Sequence, residues 1–278
     1  MKVTFLGAGA FGSVLGNIAK ENGNEVKFYD PIKFPKIKLD DVVKDAEVIV
    51  YVAPSAAAKR LLPKLPKDVP LICASKGFIS MKPFEGFENF SALGGASFSE
   101  DLEKGYSPYD NEIVLTASSE LSEQLFTTDY LQIEYFDDAY SILLCGALKN
   151  VYAIGAGMNT DDRPAGINPR MMTADDAVFM RAVAFEMPEV LEANGANPET
   201  MMLSCGLRDF TLTATEGSRN YRFGKTLKEN PGVSGLEIGS TVEGIAVIES
   251  LKDYPDFKIP KSAKILKDII EKVENAIK

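Results

Sequence analysis

Apolar residues follow two rhythms along this chain, and the change from one to the other falls near residue 138. In the first part, short runs rich in β-branched and aromatic residues recur at 2–6, 25–29, 47–52, 69–74, 113–116 and 131–135. The inner runs are almost continuous in apolar residues, the pattern of strands buried on both faces of a parallel sheet. Helical or loop crossovers separate them, beginning with a helical pattern at 13–22. Strands alternating with crossovers predict a doubly wound parallel sheet, with ligands bound beyond the carboxyl ends of the strands.

From residue 139 the period lengthens to that of helices, at 139–158, 173–192, 198–202, 242–251 and 263–277. The chain therefore reads as α/β, a sheet domain at 1–137 followed by an all-helical domain at 138–278. The segment 139–158 is apolar on every side and follows Asp137 and Asp138 as candidate N-caps, so it predicts a helix buried in a core. Its one formal charge is Lys149. Desolvation disfavours an ammonium, which makes this lysine a candidate general base near neutral pH. On position alone the alternative is a lysine at the helix edge with its head in water. No histidine exists to take the role instead.

Composition changes this picture mainly by exclusion. At 278 residues, with 45% apolar and 25% charged residues, the chain is long enough for two cores and is not disordered. A net charge of −10 without a basic stripe argues against nucleic acid, so cations meeting an anionic ligand must be local. Cys73, Cys145 and Cys205 form no C-x-x-C pair and leave an odd count, which points to reduced thiols and a cytoplasmic setting. No metal site is expected. The apolar start at 3–19 is broken by four glycines, and 139–158 carries a lysine and an asparagine, so neither is expected to insert into a membrane.

The first strand runs into Gly7-Ala8-Gly9-Ala10-Phe11-Gly12 and then a helix, the G-x-G-x-x-G spacing in its proper context. Gly7 suits a tight turn, Gly9 a close approach to pyrophosphate and Gly12 close helix packing, with phosphate at the helix N-terminus. Asp30, about 20 residues on at the end of the second strand, is placed to accept from adenosine ribose hydroxyls. A 2′-phosphate would meet a like charge there, so NAD(H) is preferred, with Lys33 and Lys36 softening the preference toward NADP(H). A turn aspartate before Pro31 is the plainer reading. The same rim carries Pro54-Ser55, Ser75-Lys76-Gly77 and Gly95-Ala96-Ser97-Phe98, with 94–97 read as a close-approach turn. In the helical half, residues 207–224 gather Asp209, several hydroxyls, an amide and arginines, a set that suits a phosphate or carboxylate, although a polar loop also explains it.

These pieces in this order, together with Gly146-Ala147-Leu148-Lys149-Asn150, Asp209 and Thr213, Ser218-Arg219-Asn220 and Val242-Glu243-Gly244-Ile245, resemble the NAD(P)-dependent glycerol-3-phosphate dehydrogenase family. The resemblance implies a Rossmann-type domain and reversible hydride transfer between dihydroxyacetone phosphate and sn-glycerol 3-phosphate, within glycerophospholipid and carbohydrate metabolism. By carry-over Lys149 accepts the proton in the oxidation direction and donates it in reverse. Lys76, Gly95, Ser97, Lys149, Asp209, Thr213, Ser218, Arg219 and Asn220 would contact substrate. Gly7, Gly9, Ala10, Phe11, Gly12, Asp30, Pro54, Lys76, Ser99, Arg219 and Glu243 would contact the cofactor. The implied partner is a small phosphorylated molecule, and a homodimer is left open. Three features depart from the family pattern: Ala96 in place of proline, Arg208 in place of glycine, and a short segment between Asp30 and Val48. A β-hydroxyacid or ketopantoate-type reductase, acting on a carboxylate, and a non-catalytic NAD(H) sensor are the alternatives.

Overall fold

A computed structural model describes residues 1–95, 97, 99–105, 112–160, 173–231 and 242–278. Among these the chain divides into two compact units, Met1–Lys76 with Ser80–Leu143, and Gly77–Ile79 with Leu144–Lys278.

In the first unit β1 (Lys2–Leu6), α1 (Ala10–Glu21), β2 (Glu25–Tyr29), α2 (Leu39–Val43), β3 (Val48–Tyr51), α3 (Ala58–Leu61), β4 (Leu71–Cys73), β5 (Phe90–Gly95), α4 (Ser99–Lys104), β6 (Ile113–Ala117), α5 (Glu120–Phe126) and β7 (Leu131–Tyr135) follow in order. The strands form one sheet in the order β2-β1-β3-β4-β5-β6-β7. The chain leaves β1 to one side and returns to its other side as β3, so the strand order reverses at β1, where open α/β sheets place their ligand crevice. Phe5, Val48, Val50, Ile72, Leu93 and Leu115 form the centre of its core with Leu15 and Ile18 of α1 and Leu125 and Phe126 of α5. Gly16 lets α1 sit on Phe28 of β2, because a Cβ there would fall 2.3 Å from the ring.

One pairing departs from the expected parallel sheet: β5 and β6 are antiparallel, with Gly95 opposite Leu115. The strand β5 carries a weak apolar signal, Phe-Ser-Ala-Leu-Gly-Gly, and of the turn expected at 94–97 Gly94 and Gly95 belong to the strand end, while the Ser97 amide donates back to the Gly95 carbonyl at 3.2 Å. Gly95 has φ +137° and a Cβ on it would lie 2.9 Å from Leu115 Cα, so the close approach is to a neighbouring strand.

The second unit contains most of α6 (Ala139–Asn159), then α7 (Ala174–Ala193), α8 (Asp209–Thr213), α9 (Arg219–Glu229), α10 (Glu243–Ser250) and α11 (Lys264–Ile277). Asp138 accepts from the Ser141 amide at 2.9 Å and so caps α6, as anticipated. By length and composition α6 could cross a membrane, but 94% of its most apolar window is buried within the protein. Thr173 and Asp176 form a capping box at the start of α7. The buried Glu186 of α7 accepts from the amides of Ile265 and Leu266 at 2.9 and 2.8 Å, capping α11, and from the Tyr152 hydroxyl at 3.0 Å. The stretch expected as a polar loop at 207–224 is corrected to two helices and a short connection, because Tyr221, Gly224 and Leu227 repeat at helical spacing on a buried face.

Candidate active site

Lys149 lies 2% exposed on α6, which excludes a head group in water. Its Nζ is 3.0 Å from Asp209 Oδ1, a carboxylate as deeply buried as itself, and donates to Thr213 Oγ1 at 2.6 Å. The Thr213 hydroxyl in turn donates to the Asp209 carbonyl at 2.7 Å, so its lone pair is what faces Lys149. Both partners come from α8, one turn apart. A charge this far from water persists only when paired and hydrogen-bonded, and Lys149 is both.

A five-residue π-turn, Ser204–Arg208, leads directly into α8 and sets Asp209 at its first position. Gly206 within it has φ −95° and ψ −113°, and a Cβ there would lie 2.3 Å from the Met201 carbonyl oxygen. Arg208 is helical, at φ −64° and ψ −48°, so this position has no conformational need for glycine. One turn before Lys149, the Cys145 thiol is held well above its ordinary pKa by its hydrogen bond with Cys205, by burial and by the Asp209 charge, and stays neutral beside the ion pair.

Asn150 is the residue that sequence reasoning left out of the site, although it adjoins Lys149 in the motif. Its Oδ1 accepts from Asn220 Nδ2 at 3.1 Å, and Asn220 Oδ1 accepts from the Gly244 amide at 2.9 Å. Asn220 thus ties α6, α9 and α10 together from a position 3% exposed. Replacing it with alanine orphans two buried polar groups, and about 2–5 kcal/mol of stability should be lost; urea unfolding of the variant measures this. Arg219 pairs with Glu243, so two expected cofactor contacts hold each other. Ser218 caps the start of α9 by position but makes no side-chain capping bond.

The first unit brings together a second set. Gly7 has φ +113°, and a Cβ would sit 2.8 Å from the Ala53 amide nitrogen; at Gly12 it would sit 2.5 Å from the Gly7 carbonyl oxygen. At Gly9, by contrast, it would meet nothing within 4 Å. The turn is therefore closed behind and open in front, and α1 starts at Ala10 with no side-chain cap on its first amides. Ala10 is exposed and Phe11 half-buried in that first turn. These features fit a dinucleotide pyrophosphate.

Asp30 Oδ2 accepts from the Ala8 amide at 2.9 Å, while Oδ1 accepts from the amides of Ile32 and Lys33 at 3.0 Å each. Partial burial works against ionisation, but the three amides and the Lys33 charge outweigh it and hold the carboxyl below its ordinary range. A depressed folded pKa contributes stability that is complete above the unfolded value and is lost as pH falls through the folded one. The thermal midpoint should thus fall with acidification below about pH 4, and Asp30→Asn should flatten part of that fall in melts between roughly pH 2.5 and 5.

Lys76 Nζ donates to the Gly95 carbonyl at 3.2 Å, joining two expected substrate contacts. The Ser97 hydroxyl is buried without a partner among the described residues. Pro54 accepts from the Tyr51 hydroxyl at 2.8 Å through its carbonyl, and Ser99 opens α4. Ala96 and Phe98 lie outside the described residues.

A sequence model described as the NAD-dependent glycerol-3-phosphate dehydrogenase C-terminus matches residues 138–277, which contain the Lys149, Asp209 and Arg219 constellation. The chain belongs to this family. It is 29% identical to the NAD(P)+ glycerol-3-phosphate dehydrogenase of Citrifermentans bemidjiense over 90% of this chain and 86% of that one. It is 26% identical to an enzyme of the same description from Lactobacillus delbrueckii subsp. bulgaricus, over 100% and 96%. In fold it is similar to the crystal structure of glycerol-3-phosphate dehydrogenase from Coxiella burnetii, with a TM-score of 0.74, 19% identity and 98% of each chain covered. The glycerol-3-phosphate dehydrogenase family thus accounts for both the sheet unit and the buried lysine of the helical unit.

Proposed function

We infer that this chain is an NAD(P)-dependent glycerol-3-phosphate dehydrogenase, transferring hydride reversibly between the nicotinamide and dihydroxyacetone phosphate. The observation that carries the reading is the buried Lys149, paired to Asp209 and Thr213 within the family-defining half. When bound, NAD(P)H supplies the hydride. Lys149 meets the other need of ketone reduction, a proton for the carbonyl oxygen as negative charge develops on it, and takes a proton back from the alcohol in oxidation. Asp209 and Thr213 hold the ammonium in one orientation, so little reorganisation accompanies transfer.

The roles of the remaining residues are part of this proposal. The Gly7–Gly12 turn and the first amides of α1 hold pyrophosphate. Asp30 has three of about four acceptor sites filled by amides, leaving one for a ribose hydroxyl. An ionised carboxylate there repels a 2′-phosphate and favours NADH over NADPH. Lys76, Gly95, Ser218, Arg219 and Asn220 are part of the proposed substrate contacts, the two cations suiting the phosphate. The orphaned Ser97 hydroxyl supports a ligand contact, since a buried polar atom without a partner is costly until one arrives.

A coupled absorbance assay following NADH and NADPH oxidation with dihydroxyacetone phosphate tests the reading. Turnover is expected with both cofactors, faster with NADH at low concentration, and 2-oxo acids should be poor substrates. No turnover of dihydroxyacetone phosphate with either cofactor would sink the proposal, and preferential turnover of a 2-oxo acid would favour the carboxylate reductases.

A further inference from the structure

We propose that Glu243 acts as a positioning residue, fixing the Arg219 guanidinium for the substrate phosphate. The inference rests on the reading of Arg219 as a phosphate ligand. Its ground is the electrostatics of two helix starts in the second unit. Arg219 is the first residue of α9, a helix with no acidic residue in its first turn and no side-chain cap from Ser218. A cation at the positive end of a helix is held against the helix dipole, and uncapped amides add to the positive field.

The compensating charge comes from another helix. Glu243 is the first residue of α10, where a carboxylate is favoured, and its Oε1 accepts from Arg219 Nη2. The next residues repeat the link: Asn220 Oδ1 accepts from the Gly244 amide at 2.9 Å. Two consecutive residues of α9 are thus bonded to two consecutive residues of α10. Glu243 has no other polar partner among the described residues. A guanidinium carries five donors in a rigid fork, and a contact at one Nη fixes the plane while leaving the other donors for a second anion. The pair is half-exposed, so it contributes little to stability and its consequence lies in the orientation of Arg219.

A double-mutant cycle separates this from a direct cofactor contact. Glu243→Ala should raise the KM for dihydroxyacetone phosphate about tenfold with kcat within about twofold, and in an Arg219→Ala background it should change kcat/KM by less than about twofold. Glu243→Gln, which keeps a neutral acceptor, should fall between native and alanine. Inorganic phosphate provides a readout free of turnover: the concentration needed to raise the thermal midpoint should increase about tenfold in Glu243→Ala and show no further increase when Arg219 is already absent. Equal losses from Glu243→Ala in both backgrounds, or a phosphate requirement unchanged from the native protein, would overturn the proposal. If the native protein turned over no dihydroxyacetone phosphate, the proposed activity would fall, and the phosphate measurements would still decide the role of Glu243.

Discussion

Lys149→Met should lower kcat for dihydroxyacetone phosphate reduction by about 10²–10⁴-fold, the range contributed by a positioned proton donor, with a smaller change in KM. The substitution keeps an unbranched apolar stem of similar length, so α6 can pack as before. What it removes is the ammonium, and that leaves Asp209, 3% exposed, without its counter-charge. Breaking a buried pair from one side costs about 3–5 kcal/mol, so a fall in activity alone would be ambiguous. The double variant Lys149→Met with Asp209→Asn resolves this. Removing the second charge should restore much of the thermal midpoint lost by the single variant, while activity stays at the low level. A single variant within about tenfold of native kcat would assign the proton to another group. Recovery of activity along with stability in the double variant would make Lys149 a structural residue.

The legibility of this molecule in its sequence follows the strength of local signals. Six of the seven described strands are visible as runs of branched and aromatic residues, continuous in apolar residues where the strand is buried, and the glycine turn because its spacing is tied to a backbone geometry. β5 escapes because Phe-Ser-Ala-Leu-Gly-Gly holds no β-branched residue, and at Gly95 the approach of Leu115 on β6 leaves no room for a Cβ, so tertiary contact overrides propensity. Lys149 is conspicuous as a charge in an apolar helix, yet its partners cannot be read at 60 or more residues' separation without the family motif. Asn220 shows the opposite limit. The motif marks it as a substrate residue, and only the structure shows its amide joining three helices. Arg219 and Glu243 were each visible as chemistry, but their pairing depends on how α9 and α10 begin.

The same dependence on close packing makes Gly224→Ala the largest expected effect on stability among single-atom additions. A Cβ at Gly224 would stand 1.9 Å from the Ile154 carbonyl oxygen and 3.1 Å from Gly157 Cα, while one at Gly157 would stand 2.0 Å from the Tyr221 carbonyl oxygen. The backbones of α6 and α9 therefore touch through paired glycines, and neither obstructing atom belongs to a flexible side chain that could swing away. Insertion of one methyl must separate the helices, at a cost of about 3 kcal/mol, corresponding to a midpoint lower by about 6–12 °C for a protein of this size. The damage should reach the site. α9 carries Arg219 and Asn220 in its first turn, and a shift of its axis stretches the 3.1 Å bond from Asn220 to Asn150, next to Lys149. Hydrogen bonds weaken steeply with distance and angle, so kcat/KM measured well below the new midpoint should fall as well. Gly195→Ala gives the contrast: its Cβ would meet nothing within 4 Å, and its cost comes only from a φ of +76°. That variant should lose about 1–2 kcal/mol and keep native kinetics. Equal thermal losses in the two variants, with activity untouched in both, would show that α6 and α9 tolerate separation and that their contact does not set the site.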